Sequence, residues 1–168
     1  MAPDVVSGGS IYRGATIVPM AGATIAVASD HAGFDLKETL KSDLQQAGYA
    51  VLDLGTNSTA SVDYPDFGAA LADAVAIGKA EKGVVVCGTG IGMSIAANRN
   101  PRVRAALAHD VTSARLAREH NDANVVAFGQ RLIGTETARE ALKVFLGTEF
   151  EGGRHTHRVA KLSKGCTT

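Results

Sequence analysis

The chain has 168 residues, 45% of them hydrophobic and 20% charged, which suits one domain with a full core and is short for two. Its 17 basic residues balance 17 acidic ones, so charge gives no support for a nucleic-acid partner or a membrane surface. The two cysteines, Cys87 and Cys166, stand in unrelated contexts and do not suggest a disulfide framework, which points to a reducing cytoplasm.

Met1 to Gly22 lacks the charged start and continuous apolar core of a secretion signal and reads as a disordered leader, with Met20 as an alternative start. No apolar run reaches the roughly 18–20 residues that span a bilayer. From Ala23 the pattern alternates strand and helix. Thr24–Ala28 is an apolar strand, and Leu36, Leu40, Leu44 and Ala47 then recur at helical spacing until Gly48 stops the helix. Ala50–Leu54 is a second strand. Pro65 opens a helix predicted to run to about Lys82. The apolar run ending at Cys87 is the third strand, followed by a helix that Asn100-Pro101 breaks. Val103–Leu107 is a fourth strand, with Asp110 placed to cap a helix through Glu119. Asn124–Phe128 is the fifth strand. A last long helix over Glu136–Leu146 buries Ala138, Ala141, Leu142 and Phe145 and ends at Gly147.

This alternation predicts an α/β fold: a three-layer α/β/α sandwich around a mainly parallel five-stranded, Rossmann-like sheet, with ligands at the carboxyl ends of the strands. Three polar clusters fall at such ends: Ser29-Asp30-His31, Cys87-Gly88-Thr89 and His109-Asp110.

Gly88, Gly90 and Gly92 follow Cys87 where a strand turns into a helix. Glycines let backbone approach a ligand, the first N–H groups of a helix lack intrahelical partners, and such a field favours a thiolate. Packing alone also accounts for a cysteine ending an apolar strand, but it does not explain three glycines. A phosphatase loop would need arginine where Met93 stands. A nucleophile elbow would need glycine at Val85, and a dinucleotide fingerprint would need it at Met93.

Elsewhere, Asp30 is a candidate cap or ligand, and His31 follows it without a capping role. His120 lies at a helix end, where the dipole favours a cationic histidine whether or not it does chemistry. Arg154 and Arg158 share a face if residues 154–162 are helical, a fork for phosphate or else a solvated basic tail. His155 and His157 have no third ligand at suitable spacing, so no metal is assigned.

Six separated motifs are Ser29-Asp30-His31-Ala32-Gly33-Phe34, Asp63-Tyr64-Pro65, Cys87-Gly88-Thr89-Gly90-Ile91-Gly92, Glu119-His120-Asn121-Asp122, Phe128-Gly129-Gln130-Arg131 and Glu151-Gly152-Gly153-Arg154-His155. Together, in this order and over about Ala23 to Lys161, they resemble the type B ribose-5-phosphate isomerases, which belong with the galactose-6-phosphate and allose-6-phosphate isomerases. The resemblance implies one isomerase domain over 23–162, with 163–168 a flexible tail, acting on a sugar phosphate through a cis-enediolate without any cofactor. It makes Cys87 the base. The backbone of Gly88, Gly90, Ile91 and Gly92, with the Thr89 hydroxyl, would hold the developing negative charge. His120 would open the sugar ring, and Asp30 and Asn121 would hold hydroxyls. His31, Arg131, Arg154 and Arg158 would bind phosphate, with Tyr64 and His155 lining the pocket. Some members carry a glutamate base instead; Cys87 puts this chain with the cysteine type. The family's tail reaches the neighbouring subunit's cysteine, which implies a homodimer or dimer of dimers with the site at the interface.

Three alternatives stand beside an isomerase of ribose 5-phosphate and ribulose 5-phosphate. They are a hexose-6-phosphate isomerase of the same mechanism, a non-catalytic phosphosugar-binding domain, and a nucleotide-binding module, the last weakened by the missing fingerprint.

Overall fold

A computed structural model of the chain describes residues 22–164. The expected leader, except Gly22, the alternative start Met20, and Cys166 with most of the expected tail lie outside the described residues. Five strands, β1 (Thr24–Ser29), β2 (Ala50–Asp53), β3 (Lys82–Cys87), β4 (Ala105–Leu107) and β5 (Val125–Gly129), form one sheet in the order β2-β1-β3-β5-β4. Every pairing is parallel. Helices α1 (Phe34–Gln46), α2 (Tyr64–Ala76), α3 (Ile91–Ala97), α4 (Val111–Asn121) and α5 (Thr135–Gly147) connect or follow the strands, and α6 (Thr156–Leu162) ends the described chain.

Side-chain alternation along the strands splits the core into two layers. Ile25, Val27, Val84, Val86, Val126 and Phe128 face α1, α4 and α5. The smaller Ala26, Ala28 and Ala127, with Val85 and Cys87, face α2 and α3. Small residues let that second layer sit close: a Cβ on Gly68 of α2 would lie 2.8 Å from the Ala96 methyl of α3. The α/β/α sandwich predicted from the alternation is therefore the observed one.

Strand order puts the topological switch between β1 and β3, because β1 is followed by α1 on one face and β3 by α3 on the other. The crevice outside their carboxyl ends is where such sheets bind ligands.

Element bounds depart from the sequence reading where turn bonds close a segment early. The second helix ends at Ala76, not near Lys82: Gly78 takes φ of 77° and the Lys79 N–H donates to the Ala74 carbonyl. This αL ending satisfies the orphan carbonyls. It releases Lys82 to start β3 opposite Ile25. Val103 and Arg104 precede β4 because their N–H groups donate to the Asn100 carbonyl and the Asn124 Oδ1. Asp110 caps α4 as read, in a reciprocal capping box with Ser113.

Candidate active site

Cys87 is the last residue of β3, opposite Gly129 of β5, and is buried. Its Sγ accepts the Gly90 N–H at 3.0 Å, so the turn folds back onto the sulfur. Gly90 has φ of 77°, and a Cβ there would meet the Phe128 carbonyl carbon at 2.9 Å. Only glycine suits both conditions. The other two glycines are close approaches. The Arg131 guanidinium lies over Gly88, and the exposed Tyr64 ring lies over Gly92, where a Cβ would be 2.8 Å from a ring carbon. Thr89 Oγ1 accepts the Ile91 N–H at 3.3 Å, and no side chain caps α3.

Across the switch, buried Asp30 caps the 3-10 turn His31–Gly33, its Oδ1 accepting from Ala32 and Gly33 at 2.9 and 3.1 Å. Gly33 brings that turn against the backbone of Val86 and Cys87. His31 Nδ1 accepts the Val62 N–H at 3.2 Å. A backbone N–H can only donate, so a neutral His31 carries its proton on Nε2. Gln130 Oε1 accepts the Leu36 N–H at 2.9 Å, tying the turn after β5 to the first turn of α1. These contacts bring Asp30, His31, Tyr64, Cys87, Gly88, Thr89, Gly90, Ile91, Gly92 and Arg131 to one end of the sheet.

The remaining expected site residues lie at the other end. Helix α4 runs back from the carboxyl end of β4, so His120 and Asn121 in its last turn stand beside the start of β5. The tail joins them there: the Glu151 N–H donates to the Glu119 carbonyl, and Arg104, just before β4, reaches Ser163. His155 is buried, stacked on His120 with ring centroids 4.4 Å apart and planes 12° apart. Its Nε2 faces the Arg154 Nε at 3.4 Å and a Glu151 carboxylate oxygen at 3.6 Å. Burial pushes the His155 pKa down from 6.5, helped by the neighbouring His120, Arg154 and Arg158 and opposed by Glu151. Arg154 sits in a 3-10 turn (Gly153–His155) and Arg158 in α6, both exposed. The expected helix over 154–162 is thus a 3-10 turn running into an α-helix.

Cys87 and His120 are therefore separated by at least the length of β5, roughly 13 Å at about 3.3 Å per residue step. The expected site residues thus form two clusters at opposite ends of the sheet. Two clefts of about 350 and 240 Å³ lie beside Lys37 and Asp53 and between α1 and α5, neither of them at Cys87.

His120, Glu151 and His155 bring three possible metal ligands within 4.8 Å of one another. The two stacked rings lie in separate, nearly parallel planes, so their in-plane lone pairs do not converge on one ion as zinc requires. Arg154 also faces the His155 nitrogen.

Two charged groups escaped the sequence reading. Lys37 is 2% exposed and its ammonium donates to both Asp53 carboxylate oxygens and the Thr56 carbonyl. Burial pushes the Asp53 pKa up, but the bonds from Lys41, Lys37 and the Gly55 N–H outweigh it and hold it low. Glu151 was read only as part of a motif. Nothing in the spacing marks either, since a lysine on an amphipathic helix ordinarily lies in water.

A model of the ribose/galactose isomerase family matches residues 25–162. The ribose-5-phosphate isomerase B of Escherichia coli is 44% identical over 139 residues, covering 83% of this chain and 93% of that one. A D-erythrulose-4-phosphate isomerase of Pectobacterium atrosepticum is also 44% identical, covering 83% and 92%. Among solved structures, a Clostridium thermocellum ribose-5-phosphate isomerase B superimposes with a TM-score of 0.83 at 47% identity, covering 83% of this chain and 95% of that one.

Proposed function

The chain belongs to the ribose/galactose isomerase family, whose members are sugar-phosphate isomerases, and on that premise we propose that it interconverts ribose 5-phosphate and ribulose 5-phosphate with Cys87 as the base. The observation that carries this reading is Cys87 at the β1/β3 switch, its sulfur held by the Gly90 N–H beside a helix start that no side chain caps.

In the proposed reaction His120 assists opening of the furanose. Cys87 then removes the C2 proton, and the C–H electrons form the C1–C2 double bond, leaving negative charge on O1. Backbone N–H groups of the Gly88–Gly92 turn and the Thr89 hydroxyl stabilise that oxyanion. Cys87 returns its proton to C1 while the O2 hydroxyl proton passes to O1, which yields the ketose. A positioned base supplies roughly 10²–10⁴-fold and an oxyanion donor roughly 10²–10³-fold. Asp30 and Asn121 hold sugar hydroxyls, and His31, Arg131, Arg154 and Arg158 take the phosphate.

Because Cys87 and His120 occupy opposite ends of one sheet, the reading requires a second copy of the chain, its His120–Arg158 end facing the first copy's Cys87. Exposed Tyr64, Ile91 and Leu132 around the cysteine give that contact an apolar rim. A homodimer then holds two equivalent sites, and a dimer of dimers holds four.

The test is turnover of ribose 5-phosphate together with C2 exchange in deuterated water. Cys87→Ala should lose roughly 10²–10⁴-fold in both, whereas wild-type exchange in that variant removes Cys87 as base. The equal identity to an isomerase of a four-carbon ketose phosphate favours a second reading in which chain length differs. Comparing kcat/KM for ribose 5-phosphate, D-erythrulose 4-phosphate, allose 6-phosphate and galactose 6-phosphate decides between them, since one carbon is worth only about 10–200-fold.

A further inference from the structure

We propose that Lys37 is a positioning residue for His31, acting through the loop between β2 and α2. The proposal rests on the reading above only in giving His31 the phosphate to bind.

The loop from Gly55 to Asp63 is held at both ends. At its start, the buried Lys37 ammonium donates to the Thr56 carbonyl at 3.0 Å and to Asp53 at 2.9 and 3.1 Å, with Glu38 at 2.7 Å. The same stretch is bonded to β1: the Thr56 N–H donates to the Ser29 carbonyl at 3.0 Å, next to Asp30 and His31. Gly55 passes so close over the lysine stem that a Cβ would lie 2.9 Å from its Cδ. At the loop's far end the Val62 N–H donates to His31 Nδ1, and two residues on the Tyr64 ring covers Gly92. Residues 57–61 between these anchors are exposed.

A buried ammonium with four oxygens around it is costly to place. A surface lysine would serve if the only need were to pair Asp53, and Lys41 already does so at 2.8 Å. Lys37 adds a bond to the second Asp53 oxygen, which Lys41 does not reach, and the bond to the Thr56 carbonyl, which together with the Thr56 N–H bond to Ser29 fixes where the loop leaves the sheet. In this proposal the loop's start sets where Val62 stands against His31, and the Val62 bond to Nδ1 leaves the proton of a neutral ring on Nε2. With Nδ1 accepting, the Nε2–H is left to donate to an anion.

The test uses Lys37→Met, of similar length, and Asp53→Asn as a milder variant that loosens the same clamp while keeping its size. Side-chain ¹⁵N shifts of His31 in the ligand-free protein report its tautomer without any substrate. The wild type should show the Nε2–H form, and both variants should shift toward a tautomer mixture. In kinetics, Lys37→Met should raise KM for ribose 5-phosphate roughly 10-fold with kcat within about 2-fold. On a His31→Ala background it should change KM no further. Unchanged His31 shifts in both variants, or additive KM effects in the double variant, overturn the proposal. A wild type that does not turn over ribose 5-phosphate counts against the substrate reading alone, because the ¹⁵N shifts still decide the role of Lys37.

Discussion

The imidazoles of His120 and His155 lie face to face, 4.4 Å between centroids, with a Glu151 oxygen 4.0 Å from one Nε2 and 3.6 Å from the other. Two adjacent imidazoles cannot both charge cheaply, and His155 is held toward its neutral form, because it is buried and Arg154 points an N–H at its nitrogen. Its pKa lies below 6.5 in the folded chain. As pH falls past 6.5 the unfolded chain takes up this proton first, so the stability linked to His155 is complete above that pH. It declines below until the folded chain also protonates. An NMR titration should place the His155 midpoint below 6.5; Arg154→Ala should move it up, and Glu151→Gln should move it further down. A midpoint at or above the ordinary value would show that the buried stack does not control this group.

Gly90→Ala should cost about 1–3 kcal/mol, since it combines a positive φ with a Cβ 2.9 Å from the Phe128 carbonyl carbon. Because the shifted turn carries the N–H that holds Cys87, activity should fall by roughly 10²-fold even where the protein is fully folded. Gly147→Ala is the control: nothing lies within 4 Å of its Cβ position and it ends α5, so alanine should be neutral or stabilising by up to about 1 kcal/mol. Urea denaturation and initial rates on the two variants check both statements.

The strands and layer order were legible because apolar runs of five or six residues between helix-spaced leucines leave little choice of architecture. The carboxyl-end cluster was legible for a related reason: Gly88, Gly90 and Gly92 each answer a different close contact, and together they mark a turn that packing alone would not demand. What the spacing hid is long-range. Gly78 ends α2 through its own αL conformation and a backbone bond from Lys79 to Ala74, which competes with a helical pattern that continues on paper. Lys37 looks like a solvated residue until Asp53 and Thr56 arrive from another strand. The distance between Cys87 and His120 follows from chain direction, because a helix returning from one parallel strand to the next must finish at the amino ends of the strands, opposite Cys87.

Ser29→Ala should raise stability by about 1 kcal/mol. Its hydroxyl is fully buried at the end of β1 and finds no partner among the described residues, so removing it relieves an unpaired polar group. Thermal unfolding at one fixed protein concentration should show a higher midpoint. A lower midpoint would mean that the hydroxyl has a partner in solution.

Mixing two inactive variants tests whether the site is shared between chains. Cys87→Ala spoils the carboxyl-end half-cluster and leaves His120, Arg154 and Arg158 intact; His120→Ala does the reverse. If each site takes one half from each of two chains, a mixed dimer contains one site with both halves wild type and one with both spoiled. Random exchange at equal amounts puts about half the molecules in mixed dimers, so activity should recover to roughly a quarter of wild type. The recovery should appear only after subunits exchange, by dilution and reconcentration or by refolding together. A site contained in one chain would give no recovery at any ratio, because every chain would then carry one defect in its own site.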